Sequence, residues 1–158
     1  MNRVGIGYDV HALVEGRPCI LGGVTLEHDK GLEGHSDADV LIHAIADAIL
    51  GALGEGDIGK HFPNSDAQWK NVSSLVFLEK IQEMLQTQKM VLINVDATII
   101  AEAPKVLPHT EAMKEKLARA LAIEPRQINL KATTNEKMGF LGRGEGIAAL
   151  AIASVMPG

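Results

Sequence analysis

Three side chains stand out for the chemistry their types and spacing allow. Asp9-Val10-His11 places a carboxylate and an imidazole two residues apart. On a strand such residues share a face, so Asp9 and His11 can grip one ion together. His43 falls within a helical pattern, on one face with Asp39 and Asp47 at four-residue spacing. Two imidazoles and a carboxylate suit zinc, and three protein ligands leave a fourth position open, the catalytic pattern. Asp39 or Asp47 is expected to orient the His43 ring. The same spacings also suit a turn or surface pair at Asp9 and His11, and a satisfied surface histidine at position 43. A closed structural zinc site is disfavoured, because Cys19 is the one cysteine.

A second group of residues suits phosphate. Lys131-Ala132-Thr133-Thr134-Asn135-Glu136-Lys137 follows an apolar strand pattern, and its hydroxyls, amides and lysines can bind phosphate oxygens. Glu136 offers a hard carboxylate for Mg²⁺ held jointly with a diphosphate. Gly142-Arg143-Gly144-Glu145-Gly146 allows close backbone approach. Its spacing matches neither a Walker nor a Rossmann loop. By pattern alone a β-turn with capping threonines is the favoured reading of the first segment. His35-Ser36-Asp37 precedes a helix, whose first amides attract anions or are simply capped. Ala101-Glu102-Ala103-Pro104-Lys105 ends a strand pattern, as a loop or as exposed backbone against a nucleobase edge.

The elements that must position these residues follow from periodicity and punctuation. Arg3 to His11 reads as a strand, and Pro18 to Leu26 as a strand or hairpin broken at Gly22-Gly23. Ser36 or Asp37 is expected to cap a helix running to about Leu53, with acidic residues in its first turn. Val40, Leu41, Ala44, Ile45, Ala48 and Ile49 form its apolar stripe, and Gly54 and Gly56 stop it. Asp57 to Asn71 is polar and reads as a surface loop. Ser74 starts a second helix, Val91 to Ala101 is a strand, and Pro108 begins a third helix. Ile128 to Thr134 and Ile147 to Met156 read as two further strands. The order β, β-hairpin, α, α, β, α, β, β predicts an α+β arrangement with helices on one face of a sheet.

The chain has 158 residues, a net charge of -5 and 46% hydrophobic residues. That suits a single globular domain over residues 1–158. Mild acidity disfavours nucleic acid as a partner. With one cysteine, no signal-peptide core in Met1 to Gly5 and no membrane-length apolar run, a cytoplasmic address is expected and a membrane partner is not.

Taken together the segments resemble the 2-C-methyl-D-erythritol 2,4-cyclodiphosphate synthase family. The resemblance rests on GYDVH (7–11), HSDADV (35–40), His43, GDIGKHFP (56–63), NVDATIIAEAPK (94–105) and KATTNEKMGFLGRGEGIA (131–148). It implies a ferredoxin-like α/β subunit with a mixed sheet, assembled as a homotrimer with sites between subunits. It implies conversion of 4-diphosphocytidyl-2-C-methyl-D-erythritol 2-phosphate to the cyclic diphosphate and CMP. Asp9, His11 and His43 correspond to zinc ligands, and Glu136 to a ligand of Mg²⁺ or Mn²⁺ bound with the diphosphate. His35 and Thr134 correspond to residues that stabilise the transition state. Substrate contacts carried over are Ser36, Asp57, Ile58 and Gly59, and a mobile loop of Phe62, Pro63, Asn64, Ser65 and Asp66. The cytidine pocket corresponds to Ala101, Glu102, Ala103, Pro104, Lys105, Val106 and Leu107 with Ala132 and Thr133. Asn135, Phe140 and Arg143 complete the set. Asn64 stands where the family pattern has an aspartate, and Asn135 where a hydroxyl residue is commoner. Two rival classes are a zinc phosphohydrolase, in which water attacks instead, and a trimeric metal-binding scaffold without catalysis.

Overall fold

In strand β1 (Arg3–Glu15) the usual alternation is inverted: Gly5 and Gly7 face inward while Val4, Ile6, Tyr8 and Val10 face out. The reason is helix α1 (Val40–Leu53), which lies directly on the strand. A Cβ at Gly5 would sit 2.0 Å from the Ala48 carbonyl oxygen, and one at Gly7 1.9 Å from that of Ala44. Only glycine permits so close an approach of strand and helix backbones. The computed structural model describes residues 1–158. The short strands β2 (Cys19–Leu21), β3 (Val24–Leu26) and β4 (Lys30–Leu32) precede α1. After it come α2 (Ile58–His61), α3 (Leu75–Thr87), β5 (Met90–Ile100), α4 (Thr110–Leu121), β6 (Ile128–Thr133), α5 (Gly139–Gly142) and β7 (Gly146–Pro157).

The main sheet runs β4-β1-β7-β5-β6, and β2-β3 forms a separate hairpin. Strands β1 and β5 both pair antiparallel to β7, and β6 pairs parallel to β5. The ends of β1, β5 and β6 therefore emerge at one edge of the sheet. The helices cover one face, as expected, and one cluster of 39 buried residues fills the space between. The strand path corrects the ferredoxin-like expectation. That motif runs β-α-β-β-α-β, whereas here α4 joins two parallel neighbours, β5 and β6, and β7 returns between β1 and β5. No helix is long and apolar enough to cross a membrane.

Helix α1 differs from expectation at its start. Its cap is Asp39, not Ser36 or Asp37, and its first turn carries no acid. The Asp39 carboxylate accepts from Ile42 N at 3.1 Å, Gly22 N at 3.0 Å and Gly23 N at 2.7 Å, tying the β2–β3 turn to the helix. Gly22 and Gly23 have φ of 58° and 74°, which suits glycine. Burial pushes the Asp39 carboxyl up to about 6, against the pull of these amides. The segment expected as a surface loop contains α2, capped by Asp57, and a 3-10 turn at Ala67–Trp69. Phe62 is buried there, stacked on Phe77 with ring centres 4.6 Å apart, and Trp69 meets both rings edge-on. Polar composition concealed this aromatic anchor.

Candidate metal centre and phosphate-facing turn

The inward face of β1 continues past Gly5 and Gly7 to Asp9 and His11, so the glycines that admit α1 also bring these side chains against His43. Asp9 Oδ2 lies 2.9 Å from His11 Nε2 and 3.0 Å from His43 Nδ1, and the two nitrogens are 3.2 Å apart. Tetrahedral zinc with bonds of about 2.0–2.1 Å spaces its donors about 3.3 Å apart, close to these distances. The outer nitrogens are engaged elsewhere. His11 Nδ1 donates to the Glu33 carbonyl at 2.7 Å, and His43 Nε2 lies 2.9 Å from Ser74 Oγ and 3.2 Å from Ser36 Oγ. In that tautomeric arrangement two bare nitrogens and a carboxylate oxygen point their lone pairs at one another. Only a proton or a cation between them makes the cluster favourable, so the donor set fits a divalent metal. Burial works to raise the Asp9 carboxyl, but hydrogen bonds and charge from His11 and His43 outweigh it and hold it well below the usual range. Burial likewise opposes protonation of His11, and the bond to Asp9 prevails, raising it.

Neither Asp39 nor Asp47 orients His43, contrary to expectation. Asp39 is occupied by three amides, and Asp47 accepts from Ile58 N at 2.8 Å, joining α1 to α2. The orienting group is Ser74, which heads α3 without capping it. Its hydroxyl donates to Asp37 Oδ1 at 2.5 Å and faces His43 Nε2. A serine before an apolar helix reads as a cap, and no local signal separates that role from this one.

The cluster opens into a cavity of about 310 Å³ shared with His35, Ser36, Ile58, Gly59, Phe62, Pro63 and Asn64. His35 Nε2 lies 3.2 Å from the Asp66 carbonyl oxygen. The Asp66 carboxylate turns instead to Gln68. Asp57 caps α2 and Ser65 is exposed, and neither lines the cavity. A larger hollow of about 450 Å³ lies behind Phe62 and Trp69, yet none of the three clustered ligands lines it. The lone-pair cluster, rather than size, marks the site.

The residues expected to meet phosphate form a separate group. The Glu102 carboxylate accepts from Asn135 N at 2.8 Å and Lys137 N at 3.1 Å, and Ala101 N donates to Thr133 O at 3.0 Å. Glu136 and Lys137 both adopt positive φ, at 52° and 59°. Thr134 Oγ1 accepts from Glu136 N at 3.2 Å. Ala132, Ala103 and Pro104 flank this turn without entering the cavity. Val106 belongs to the core at 4% exposure, whereas Lys105, Leu107 and Phe140 are exposed. Arg143 pairs with Glu145 at 3.2 Å. Asp9, Ala149, Ile99 and Ala132 share one rung of the sheet. The two groups thus stand at the same sheet edge, three strand spacings or roughly 14 Å apart. Within one chain they do not meet.

A family model for the YgbB family matches residues 2–156. The chain belongs to the YgbB family. Among its relatives is the 2-C-methyl-D-erythritol 2,4-cyclodiphosphate synthase of Alkaliphilus metalliredigens, 60% identical over 153 residues, covering 97% of this chain and 96% of that one. The synthase of Clostridium botulinum strain Hall is 56% identical over 150 residues, covering 95% and 97%. Among solved structures, IspF of Plasmodium falciparum in a CDP complex superposes with a TM-score of 0.87 at 33% identity, covering 99% and 96%. The bifunctional IspDF of Campylobacter jejuni superposes with a TM-score of 0.94 at 41% identity, covering 98% of this chain and 42% of that one. The YgbB match spans both groups of site residues, so the metal cluster and the distant turn belong to one family unit.

Proposed function

We propose that the chain converts 4-diphosphocytidyl-2-C-methyl-D-erythritol 2-phosphate to 2-C-methyl-D-erythritol 2,4-cyclodiphosphate and CMP. This is a phosphorus–oxygen lyase step in non-mevalonate isoprenoid precursor biosynthesis, carried by residues 1–158 as one synthase domain. The observation that carries the reading is the Asp9–His11–His43 cluster opening into the cavity lined by His35 and the 58–64 segment. The synthases named above share most of this sequence.

An oxygen of the substrate's own 2-phosphate forms a bond to the β-phosphorus, and the bond from that phosphorus to the bridging oxygen breaks. CMP leaves with the bridging oxygen, so no enzyme nucleophile is required. Asp9, His11 and His43 would hold zinc, and Glu136 would hold Mg²⁺ or Mn²⁺ together with the diphosphate. Such ions supply charge withdrawal from the phosphates. The chain's own residues supply the remainder. His35 and Thr134 donate to phosphoryl oxygens as charge develops, and Lys105 and Arg143 add cationic character. Ser36, Ile58 and Gly59 seat the sugar from the cavity wall, with Asp57 beside them at the head of α2. Ala101 to Leu107, with Ala132, Thr133 and Asn135, receive the cytidine and its phosphates, with Val106 acting through its backbone. In the 62–66 loop Phe62 stays anchored on Phe77 and Trp69, while Pro63, Asn64, Ser65 and Asp66 close over the substrate and, with Phe140, exclude water. Holding both ends of one molecule in near-attack geometry removes the freedom of the chain that links them, a part of the about 7–11 kcal/mol gained when separate reactants are fully oriented.

The same reading includes a homotrimer with each site shared between two chains. Two features support it. The metal group and the Thr133–Glu136 turn stand apart within one chain, and a neighbouring copy can bring them together. The open sheet face carries Val4, Ile6, Tyr8, Leu150 and Ile152, with Ile6 66% exposed, and an apolar face of this kind calls for a partner. Cytoplasmic residence is part of the same reading, since a highly charged substrate that does not cross bilayers requires its enzyme in the compartment that makes it. The test is CMP release with phosphorus NMR of the product. A cyclic diphosphate is expected. A linear phosphate would establish hydrolysis instead, and tight zinc without CMP would leave a metal-binding scaffold.

A further inference from the structure

We propose that Arg17 is a positioning residue, clamping the Gly34–Ser36 segment so that the His35 imidazole faces the cavity. This rests on the role of His35 given above. Arg17 lies in the turn between β1 and β2, outside the cavity lining. Its Nη1 donates to the Gly34 carbonyl at 3.1 Å and its Nη2 to the Ser36 carbonyl at 2.8 Å. The carbonyl between them, that of His35, accepts from Asn71 N at 2.8 Å. Three successive carbonyls are therefore held from outside the segment, two of them by one guanidinium. Arg17 Nε is buried and has no hydrogen-bond partner, so the protein bonds of this guanidinium go entirely to the peptides flanking His35. The segment's other backbone bonds, Asn71 N to the His35 carbonyl and Asp37 N to the Val72 carbonyl at 3.0 Å, leave the Gly34 and Ser36 carbonyls to Arg17 alone, and the Ser36 hydroxyl is turned toward Ala38 N, His43 and Ser74.

The planar fork matters more than the charge. Guanidinium N–H groups have fixed directions and can span two carbonyls at a set separation, whereas an ammonium on a shorter stem cannot reproduce that spacing. Gly34 is the most permissive backbone position in the segment. Freed from Arg17, the peptide can rotate there and carry His35 away from its cavity-facing position. A displacement of about 1 Å at a group that meets the transition state can cost 100-fold in rate. Arg17 acts on turnover through His35, while substrate affinity, set across many other contacts, stays nearly constant.

The test is a double-mutant cycle on the metal-loaded enzyme, following steady-state CMP release by wild type, Arg17→Met, Arg17→Lys, His35→Ala and the double variants. Arg17→Met should lower kcat about 10- to 100-fold, with KM within about 2-fold and metal content unchanged. In the His35→Ala background the same substitution should change kcat by less than about 2-fold, because the group it positions is gone. Arg17→Lys should recover part of the loss. If Arg17→Met fails to fold, Arg17→Lys carries the cycle under the same criterion. An equal loss in both backgrounds, or a loss confined to KM, would overturn the positioning role while leaving the reading of His35 intact. A His35→Ala enzyme with wild-type kcat would overturn both.

Discussion

Replacing Gly7 by alanine should damage the metal centre from two residues away, through the contact of strand and helix. The added Cβ would lie 1.9 Å from the Ala44 carbonyl oxygen and 2.8 Å from Ala48 N, all backbone of α1. No rotamer change relieves a clash with backbone. To reach even 3.0 Å, α1 must lift from β1 by about 1 Å, breaking a close-packed contact that buries nearly every residue of the helix. Overpacking of this kind costs about 1–3 kcal/mol, and a backbone obstacle places Gly7→Ala at or above the top of that range. For a chain of this length about 3 kcal/mol lowers Tm by roughly 10 °C. The same lift separates His43, which precedes Ala44, from Asp9, which follows Gly7 by two. Cluster distances of 2.9–3.2 Å do not tolerate such a shift, so metal stoichiometry should fall along with stability. Gly51→Ala is the control, since its Cβ would meet nothing nearer than Gly5 Cα at 3.7 Å. That change should stabilise α1 by up to about 1 kcal/mol. Calorimetry and metal analysis of both variants decide the matter. A Gly7→Ala protein with wild-type Tm and full metal would refute the close-contact account.

Ser74→Ala removes the group facing His43 Nε2 and should weaken metal affinity about 10- to 100-fold, measured by competition with a chelating dye; unchanged affinity would exclude an orienting role. Burial pushes the Cys19 thiol up to about 11, so the folded state prefers the neutral form. Its contribution is intact below the ordinary thiol range and is lost as pH rises through about 11, native labelling at pH 8 should be slow, and Cys19→Ser should keep full turnover. Mixing inactive His43→Ala and Glu136→Ala chains through unfolding and reassembly should restore about a quarter of the sites if closed trimers share each site between two chains. Mixed trimers, verified by mass, that stay inactive would reject sharing.

What the sequence disclosed depended on how local the cause was. Asp9 and His11 share a strand face, a relation fixed by period-two geometry, and the structure brings them together as expected. The strands at Val91 and Ile147 and the apolar stripe of α1 were legible for the same reason. Partners of the carboxylates were not. Asp39 and Asp47 lie four residues either side of His43, yet their oxygens are taken by amides at Gly22, Gly23, Ile42 and Ile58. Those competing donors come mostly from distant sequence and appear only once the chain is folded. Strand β4 is three residues long, too short to show a period. The path of β7 between β1 and β5 is likewise a tertiary outcome, because alternation sets which face is buried and leaves neighbour order open.

The two halves of the proposed site rest on different kinds of structure, and the difference suits their tasks. The metal half is borne by β1, the buried helix α1 and Ser74 at the head of α3, with second contacts on both imidazoles. Such a frame holds donor atoms where a small cation demands fixed distances. The other half is an exposed turn with two non-glycine residues at positive φ, held by hydrogen bonds from its amides to Glu102. Glu102 occupies these amides and so braces the turn, leaving the Thr134 hydroxyl and the Glu136 carboxylate as the groups that a diphosphate and its cation would meet. A turn of this kind can adjust to a flexible diphosphate without disturbing the sheet. A reaction that draws one end of a substrate onto the other needs one fixed reference and one adaptable grip. The rigid frame supplies the first, and the Glu102-braced turn of a neighbouring copy would supply the second.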